Sequence, residues 1–410
     1  MSDDDLNELG LNALKDVERC GGICKLRQVN GEDQTKVTTA IFVSTKKMID
    51  DIDRHKPQLV LLDTTFGVCA ERYKLAMFVY PCRLSNKTRV AAFCLMADER
   101  EQTVEFFLQE FANICQPSFF FVDKDFNQMK LLFKTWPSCH VFLCVFHVLK
   151  YMKSIIRTVQ CRSVADLSKK KDELASHLRR VILAKNQGEF DNAAGEWRLA
   201  AQDCQFKQAG TLKDLGSFFE NSWLSCHHLW ATFHRTNQPL LFTNTTNRIE
   251  SLFGKLKHAL SRWFGKGKKA IPGLAAFAPF FLRFLHDRLF PMDMAVKRFR
   301  PIVPRFQLDM DQAGKLLTKT AAEHFYDQLM IAIPIVDQNV DQNNEETTTE
   351  TNCSCRIYSQ LKMPCHHILI TRHRSGLSLF EQTNFPEYFH DSFMMEEAKE
   401  TEEEPPIGDL

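Results

Sequence analysis

Between residues 57 and 156, short apolar runs alternate with segments whose apolar residues recur at helical spacing. Residues 57–66 (PQLVLLDTTF) form a continuous apolar run that ends in polar residues, which is typical of a strand buried on both faces. Residues 74–82 and 89–97 are two further apolar runs joined by the turn-forming SNKT, and they predict a hairpin. A helix is predicted over residues 101–115, because its apolar side chains share one face.

A second group of elements follows. Residues 118–125 predict a short buried strand that ends in acidic residues, 127–136 a short helix, 140–146 another strand, and the residues that follow a further helix. The predicted order is therefore three strands, helix, strand, helix, strand, helix. This order resembles the RNase H-like α/β fold, a mixed sheet in which the fourth strand lies beside the first. We therefore assign residues 38–160 to the first part of an RNase H-like core.

The remaining segments flank or interrupt this core. Charged, helical patterns between the last strand and residue 240 predict an all-α insertion, and two later helices, the second one rich in Phe, predict that the core is completed after it. A polar segment of low complexity (DQNVDQNNEETTTETN) predicts a linker. The predicted division is 1–37 for an N-terminal helical segment, 161–240 for the insertion, 241–336 for the completion of the core, 337–352 for the linker, 353–390 for a small C-terminal module and 391–410 for an acidic, disordered tail.

The composition narrows the class of protein. The 410 residues are 44% hydrophobic and 25% charged, as in folded soluble proteins, and the length predicts two or three folded units. No segment predicts a membrane span, and the acidic N-terminus MSDDDLNELG has no apolar signal region. Most of the 14 cysteines stand singly in apolar runs, as buried reduced thiols do, so we expect a reducing compartment and no membrane association.

Three acidic residues stand where they could bind a divalent cation. Asp63 ends the first buried strand and Asp123 ends the fourth. If those strands are neighbours, the two carboxylates meet at one edge of the sheet, which suits a hard ion such as Mg²⁺ or Mn²⁺. Glu250, at the edge of the apolar stripe of a predicted helix over 244–260, is the third candidate. Taken singly, each acid is more often a turn former or a helix cap, and Asp125 competes with Asp123.

Two further features bear on the chemistry. Thr65 stands two residues after Asp63, where proofreading-type exonucleases of similar fold carry a glutamate, so transposase or integrase chemistry is favoured over exonuclease chemistry. The net charge is only +1, but basic residues are concentrated after Glu250. Those predicted to contact nucleic-acid phosphates are Lys255, Lys257, Arg262, Lys266, Lys268 and Lys269.

The most specific ligand pattern is CSCRIYSQLKMPCHH, in which Cys-x-Cys, nine residues and Cys-x-His follow one another. This pattern resembles the SWIM zinc finger. Three thiolates and one imidazole would close the tetrahedral shell of a zinc ion, so the predicted site is structural. The predicted ligands are Cys353, Cys355, Cys365 and His367. His366 is the rival imidazole, and the SWIM pattern favours His367.

Four blocks, in order, resemble the Mutator-like element transposases: LLDTTF with Asp63, VDKDFNQM with Asp123, CVFH with Cys144 and His147, and TTNRIESLFGKLK with Glu250. Animal SWIM-domain zinc-finger proteins and the far-red-response transcription factors of plants, domesticated descendants of such transposases, share this architecture. The resemblance spans most of the chain and implies cut-and-paste DNA transposition by two-metal catalysis, with the three acids as ligands of Mg²⁺ or Mn²⁺. It assigns no role to the Cys-x-x-His pair, for which a buried cysteine and a helix-starting histidine are an equal alternative.

One departure from the family concerns DNA recognition. A zinc-chelating DNA-binding module usually precedes the catalytic domain, whereas residues 1–55 offer only Cys20, Cys24 and His55. Two functions are therefore expected: a metal-dependent DNA strand-transfer or nicking enzyme, and a domesticated, catalytically inactive protein that binds DNA or protein partners. We expect DNA as the partner and a nuclear location in both cases. A third interpretation makes the SWIM finger a protein-interaction surface, and the formation of a homo-oligomer stays open.

Overall fold

The computed structural model describes residues 3–30, 36–82, 87–161, 166–235, 240, 243, 245–265, 267, 271–293, 301–338, 347–386 and 390. The chain forms two compact units. The first contains Met1–Tyr80, Thr88–Thr236 and Thr243–Asp287, and the second contains Pro81–Lys87, Asn237–Phe242 and Arg288–Leu410. None of the described helices combines the length and the apolar character needed to cross a membrane.

A seven-stranded mixed sheet forms the centre of the first unit, with the strand order β1-β2-β5-β4-β3-β6-β7. The strands are β1 (Ile23–Asn30), β2 (Lys36–Ser44), β3 (Leu59–Thr65), β4 (Lys74–Pro81), β5 (Thr88–Met96), β6 (Phe119–Val122) and β7 (His140–Leu143). β3 pairs antiparallel with β4 and parallel with β6, and β6 pairs parallel with β7. The predicted RNase H-like mixed sheet is confirmed, including the fourth predicted strand, now β6, beside the first, now β3.

The N-terminal segment differs from the prediction of a helical segment over 1–37. α1 (Asp3–Arg19) forms, but β1 follows it and pairs antiparallel with β2 at the edge of the sheet. Most side chains of β1 are exposed or half-buried, because an edge strand has a neighbour on one side only. Its sequence, ICKLRQVN, therefore lacks the continuous apolar run that identified the central strands.

Helices cover both faces of the sheet. The helices between the strands are α2 (Lys46–His55), α3 (Glu101–Ala112), α4 (Phe126–Thr135) and α5 (Val145–Thr158). On one face Phe78 of β4 stacks between Phe107 and Phe111 of α3, at ring-centroid distances of 4.4 and 3.8 Å. On the other face lie α9 (Asn247–Phe264) and α10 (Leu274–Asp293), where Phe281 of α10 meets Phe93 of β5 edge-on at 4.9 Å. Burial of both faces explains the continuous apolar runs of β3, β4 and β5.

The insertion is helical for the most part, with α6 (Leu167–Leu183), α7 (Gln187–Ala200) and α8 (Leu215–Ser222). The prediction of an all-α segment over 161–240 needs one correction, because a small sheet with the order β10-β9-β8 lies within it. It consists of β8 (Gln160–Cys161), β9 (Cys204–Gln208) and β10 (Thr211–Asp214). Ala209 and Gly210, with φ of 47° and 85°, form the two-residue turn between β9 and β10. The hairpin is too short for a clear alternating pattern, which is why the sequence did not reveal it.

A disulfide cross-links the small sheet of the insertion, and Arg235 ties the insertion to the central sheet of the first unit. Cys161 and Cys204 form a disulfide between β8 and β9, whereas the sequence analysis expected scattered reduced thiols; the other cysteines are free. Arg235 is fully buried and donates to the carbonyl oxygens of Leu143, at the end of β7, and Leu229, at 2.6 and 2.8 Å. Its guanidinium also lies 5.1 Å from the ring centroids of two phenylalanines, Phe121 and Phe142.

The second unit contains α11 (Gln307–Leu316), α12 (Lys319–Asp337), α13 (Arg356–Leu361) and α14 (His366–Arg374). One hydrophobic cluster joins all four helices through residues such as Met310, Phe325, Leu361 and Leu369. The structure thus places α11 and α12 with the C-terminal module, whereas the predicted division placed residues up to 336 in the RNase H-like core. The short cysteine-containing segment gains a core of ordinary size by packing against these two helices. Of the predicted linker, residues 339–346 lie outside the described residues, as does all of the predicted tail 391–410.

Candidate metal centres

The pairing of β3 with β6 brings Asp63 and Asp123 together. Leu61 is the register partner of Phe121, and both aspartates lie two residues further along their parallel strands, so they end side by side at the same edge. Burial raises the pKa of Asp63 to about 7, and the charge of Asp123 adds to the increase, although the backbone N–H of Thr64 donates to Asp63 at 2.7 Å. A carboxylate whose ionisation is made costly by burial and by a neighbouring carboxylate is a favourable place for a cation.

The helix α9 brings the third acid to the same edge. Its buried stripe packs against β3 and consists of Ile249, Phe253, Leu256 and Leu260. Glu250, in the first turn, accepts a hydrogen bond from the hydroxyl of Thr246 at 3.1 Å, and its charge contributes to the raised pKa of Asp63. The side chains of Asp123 and Glu250 are 43% and 34% exposed, so a ligand can reach them. The three predicted acids therefore meet at one rim, and their role as metal ligands stays a prediction.

Cys144 and His147 lie at this rim as well. Cys144 follows β7 directly and caps α5, which places His147 in the first turn of that helix. The imidazole Nδ1 is 2.6 Å from Asp123 Oδ1, and Nε2 is 3.4 Å from Glu250 Oε1. Contacts with Asp123, and then with Cys144, raise the pKa of His147 to about 10. Burial acts to raise the pKa of Cys144, but hydrogen bonds from His147 and Thr246 outweigh it and the pKa falls below its ordinary value.

The rim offers two overlapping donor sets. Asp63, Asp123 and Glu250 supply carboxylate oxygens, the donors that Mg²⁺ and Mn²⁺ prefer, but these oxygens do not all lie within 4.8 Å of one another. Cys144, His147 and Glu250 place one donor atom each within 4.8 Å of one another, and sulfur and nitrogen donors suit softer ions such as zinc. Since His147 contacts one oxygen of Asp123 and one of Glu250, the imidazole competes with a cation for these two carboxylates. Sequence reasoning identified all five residues but gave no indication of this contact.

Asp125, the rival of Asp123, has a different role. Its carboxylate accepts hydrogen bonds from the backbone N–H groups of Asn127 and Gln128, at 2.9 and 3.2 Å, and caps α4. Asp123 is thus the acid of this pair at the rim, and Asp125 is the N-terminal charge of the helix.

The predicted basic surface is described in part. Lys255, Lys257 and Arg262 are exposed on α9, and the Lys257 ammonium lies 5.2 Å from the ring centroid of Phe66, which is 73% exposed. Lys266, Lys268 and Lys269 lie outside the described residues. Phe66, an exposed aromatic residue three positions after Asp63, is a further candidate for contact with nucleic acid. The sequence did not reveal it, since no pattern distinguishes an exposed Phe from a buried one.

The second candidate centre lies in the second unit. The Sγ atoms of Cys353, Cys355 and Cys365 and a ring nitrogen of His367 lie within 4.8 Å of one another. His367 Nδ1 is 3.6 Å from Cys353 Sγ and 3.8 Å from Cys365 Sγ. Zinc bonds of about 2.3 Å to sulfur and about 2.0 Å to nitrogen, in a tetrahedral shell, separate such ligand atoms by roughly 3.6 Å. The four side chains therefore fit a closed zinc site without rearrangement.

Backbone contacts support the thiolate form of these ligands. The N–H of Cys355 points at Cys353 Sγ at 3.3 Å, and the N–H of Tyr358 points at Cys355 Sγ at 3.4 Å. His366, the rival imidazole, lies elsewhere: its backbone N–H donates to the Gln328 side chain of α12 at 3.1 Å, and its Nδ1 contacts the same oxygen. The structure thus places His367, and not its neighbour, in the cysteine cluster.

One comparison bears on the family. Residues 18–142 match the family model described as Zinc finger SWIM domain-containing protein 1/3, RNaseH-like domain. The match begins at the end of α1 and runs to β7, so it contains Asp63 and Asp123 and the whole seven-stranded sheet except the last residue of β7. The Cys3His cluster, which the match does not include, could hold zinc. The RNase H-like domain of this chain is therefore similar to that of SWIM-domain zinc-finger proteins, and the chain also carries a Cys3His cluster outside the match.

Proposed function

We propose that this protein derives from a Mutator-like transposase and binds DNA at a rim where Asp63, Asp123 and Glu250 hold Mg²⁺ or Mn²⁺. The observation that supports the proposal is the convergence of three acids from positions 60 to 187 residues apart in the chain. Bound divalent ions would supply the activation of the attacking oxygen and the stabilisation of the leaving oxygen in strand cleavage. The zinc site has a structural role, because its four protein donors leave no open position.

The chain's own residues would position the DNA and the acids. Thr246 orients Glu250 by its hydrogen bond, and the backbone N–H of Thr64 orients Asp63. The exposed side chains Lys255, Lys257 and Arg262 lie on the same helix as Glu250 and would neutralise phosphates. With DNA as the substrate, we propose the nucleus as the site of action, which imaging of the tagged full-length chain tests.

Strand cleavage tests the catalytic proposal. The full chain is incubated with terminal-repeat duplex DNA in Mg²⁺ or Mn²⁺, and cleavage is compared for Asp63→Asn, Asp123→Asn and Glu250→Gln. We expect cleavage by the wild-type protein and none by the three variants. Asp125→Asn is the matched control, since asparagine caps a helix as well as aspartate does and this residue lies outside the rim. Equal cleavage by the rim variants and the wild type would reject the catalytic roles.

A DNA-binding protein without cleavage activity is the second candidate. The observation that favours it is the position of His147, whose two ring nitrogens contact Asp123 and Glu250. A protonated imidazole there supplies positive charge to the same carboxylates that a divalent ion would need. This candidate predicts salt-dependent DNA binding and no cleavage. It also predicts that calorimetry detects Mn²⁺ binding only after His147→Ala.

Protein partners of the SWIM finger are a further proposal. α14 carries His367 in its first turn and basic side chains in its last turn, and this positive charge would suit an acidic partner. Pull-down with wild-type protein and with Cys353→Ser and Cys365→Ser variants shows whether partner binding needs the folded finger. Light scattering of the full chain, with and without DNA, decides whether it forms a homo-oligomer.

A further inference from the structure

A cleft of about 730 Å³ opens beside the acidic rim, between α5 and the segment from α8 to Trp223. Asp123 and His147 line the end that it shares with the rim. The volume lies within the range of pockets that bind small molecules or single groups of a larger ligand. Because the cleft adjoins the carboxylates, a DNA strand bound at the rim would run past the opening of the cleft.

The lining is aromatic and basic. Tyr151 of α5 is 40% exposed, and its ring centroid lies 5.5 Å from that of the buried Trp223, which supports it from behind. The Lys124 ammonium lies 3.7 Å from the Trp223 ring centroid and donates to the carbonyl oxygen of Ser222. Lys150 is exposed at the same wall, and Asp123 is the one carboxylate among the described lining residues.

These features select for an unpaired nucleobase. In a duplex both faces of a base are covered by its neighbours, so a side-chain ring can stack only on a base that has left the helix. Tyr151 offers such a ring, and the adjacent ammonium groups offer charge for the phosphate of the same nucleotide.

We propose that the cleft binds one unpaired nucleotide next to the strand position held at the rim, with the base against Tyr151 and the phosphate near Lys150. This proposal rests on the proposed DNA-binding function. It adds a specific ligand: DNA with an unpaired nucleotide beside the duplex.

Binding to two probes tests the proposal. The full chain, in Ca²⁺ to prevent cleavage, is titrated with a blunt duplex and with the same duplex carrying a short single-stranded extension. The first unpaired position of the extension carries the fluorescent base 2-aminopurine, whose emission falls on stacking. We expect the extended duplex to bind more tightly and its 2-aminopurine emission to fall.

Three variants localise the effect. Tyr151→Ala should weaken binding of the extended duplex about ten-fold, the order of one lost stacking contact, and leave the blunt duplex unchanged. Tyr151→Phe retains the ring, although it loses the hydroxyl that accepts from Gln208, and should retain the preference. Phe133→Ala is the matched control, because this aromatic side chain is 41% exposed and does not line the cleft.

The remaining outcomes would contradict either the nucleotide site alone or the DNA-binding function as well. Equal binding of both probes by the wild type, or an unchanged preference in a folded Tyr151→Ala protein, overturns the nucleotide site and leaves the DNA-binding function in place. Binding of neither probe by the wild type overturns the proposed function itself, and the nucleotide site with it. Circular dichroism of each variant shows that it is folded before its binding is compared.

Discussion

Asp51 of α2 is a fully buried carboxylate that contacts a buried guanidinium of β5. Its Oδ2 lies 2.7 Å from Arg89 Nη1, whose side chain is 4% exposed, and its Oδ1 lies 2.9 Å from Lys47 Nζ. The pair joins a surface helix to the centre of the sheet. We predict that Asp51→Asn destabilises the first unit, because the substitution keeps the shape of the side chain and removes the negative charge.

Arg54 Nη1 is a third and more distant contact, at 3.9 Å from Asp51 Oδ1, so the magnitude follows mainly from the two shorter ones. A hydrogen bond to a charged group contributes about 1.5 to 3 kcal/mol, and breaking a buried ion pair by removing one partner costs about 3 to 5 kcal/mol. Asparagine still offers one oxygen as an acceptor, so we expect a loss of about 3 kcal/mol for Asp51→Asn. Asp50→Asn is the matched control one position away. Asp50 is 39% exposed and pairs with Lys46 across one helical turn, which is worth roughly 0.3 to 0.5 kcal/mol.

Urea unfolding followed by tryptophan fluorescence measures this loss in the first unit alone. All five tryptophans of the chain lie between residues 136 and 263, within that unit. The double variant Asp51→Leu with Arg89→Leu should be more stable than Asp51→Asn, since it leaves neither charge of this pair buried. A loss below about 1 kcal/mol for Asp51→Asn, or one equal to that of Asp50→Asn, would refute the reasoning.

Three further predictions concern the metal, the insertion and a helix contact. Chelation of zinc, or Cys365→Ser, should unfold the second unit, seen as proteolysis of its fragments, and leave the tryptophan-monitored unfolding of the first unit unchanged. Arg235→Met should destabilise the first unit by about 2 to 3 kcal/mol in the same urea assay, because two buried carbonyl oxygens lose their donor. Gly10→Ala should lower the thermal midpoint, because the added Cβ would lie 2.6 Å from the backbone of Leu274. Gly254→Ala, with no described atom within 4 Å, should raise it by the helix propensity of alanine.

The central sheet could be predicted from sequence because burial on both faces leaves a strong local signal. β3, β4 and β5 each contain a continuous run of buried apolar residues, and the position of Asp63 at the end of one such run follows directly from the sequence. β1 is an edge strand with mostly exposed or half-buried side chains, and β9 and β10 are short strands that also carry exposed side chains, so their patterns resemble those of loops. The Cys3His cluster was predictable for another reason, since the spacing of candidate ligands of one ion depends little on the surrounding fold.

The arrangement of the rim could be predicted from the sequence only in part. β3 and β6 are neighbours, and their hydrogen-bonded register makes their ends meet, so the proximity of Asp63 and Asp123 follows from strand order and register. The contact of His147 with Asp123 depends on side-chain rotamers at the start of α5, and no local pattern encodes them. The cleft could not be predicted from local sequence either, because one of its lining residues, Trp223, belongs to the insertion and lies far along the chain from Asp123. The His147 imidazolium and a divalent ion therefore compete for the same carboxylates. Their relative affinities, and not the positions of the acids, decide which of them neutralises the rim.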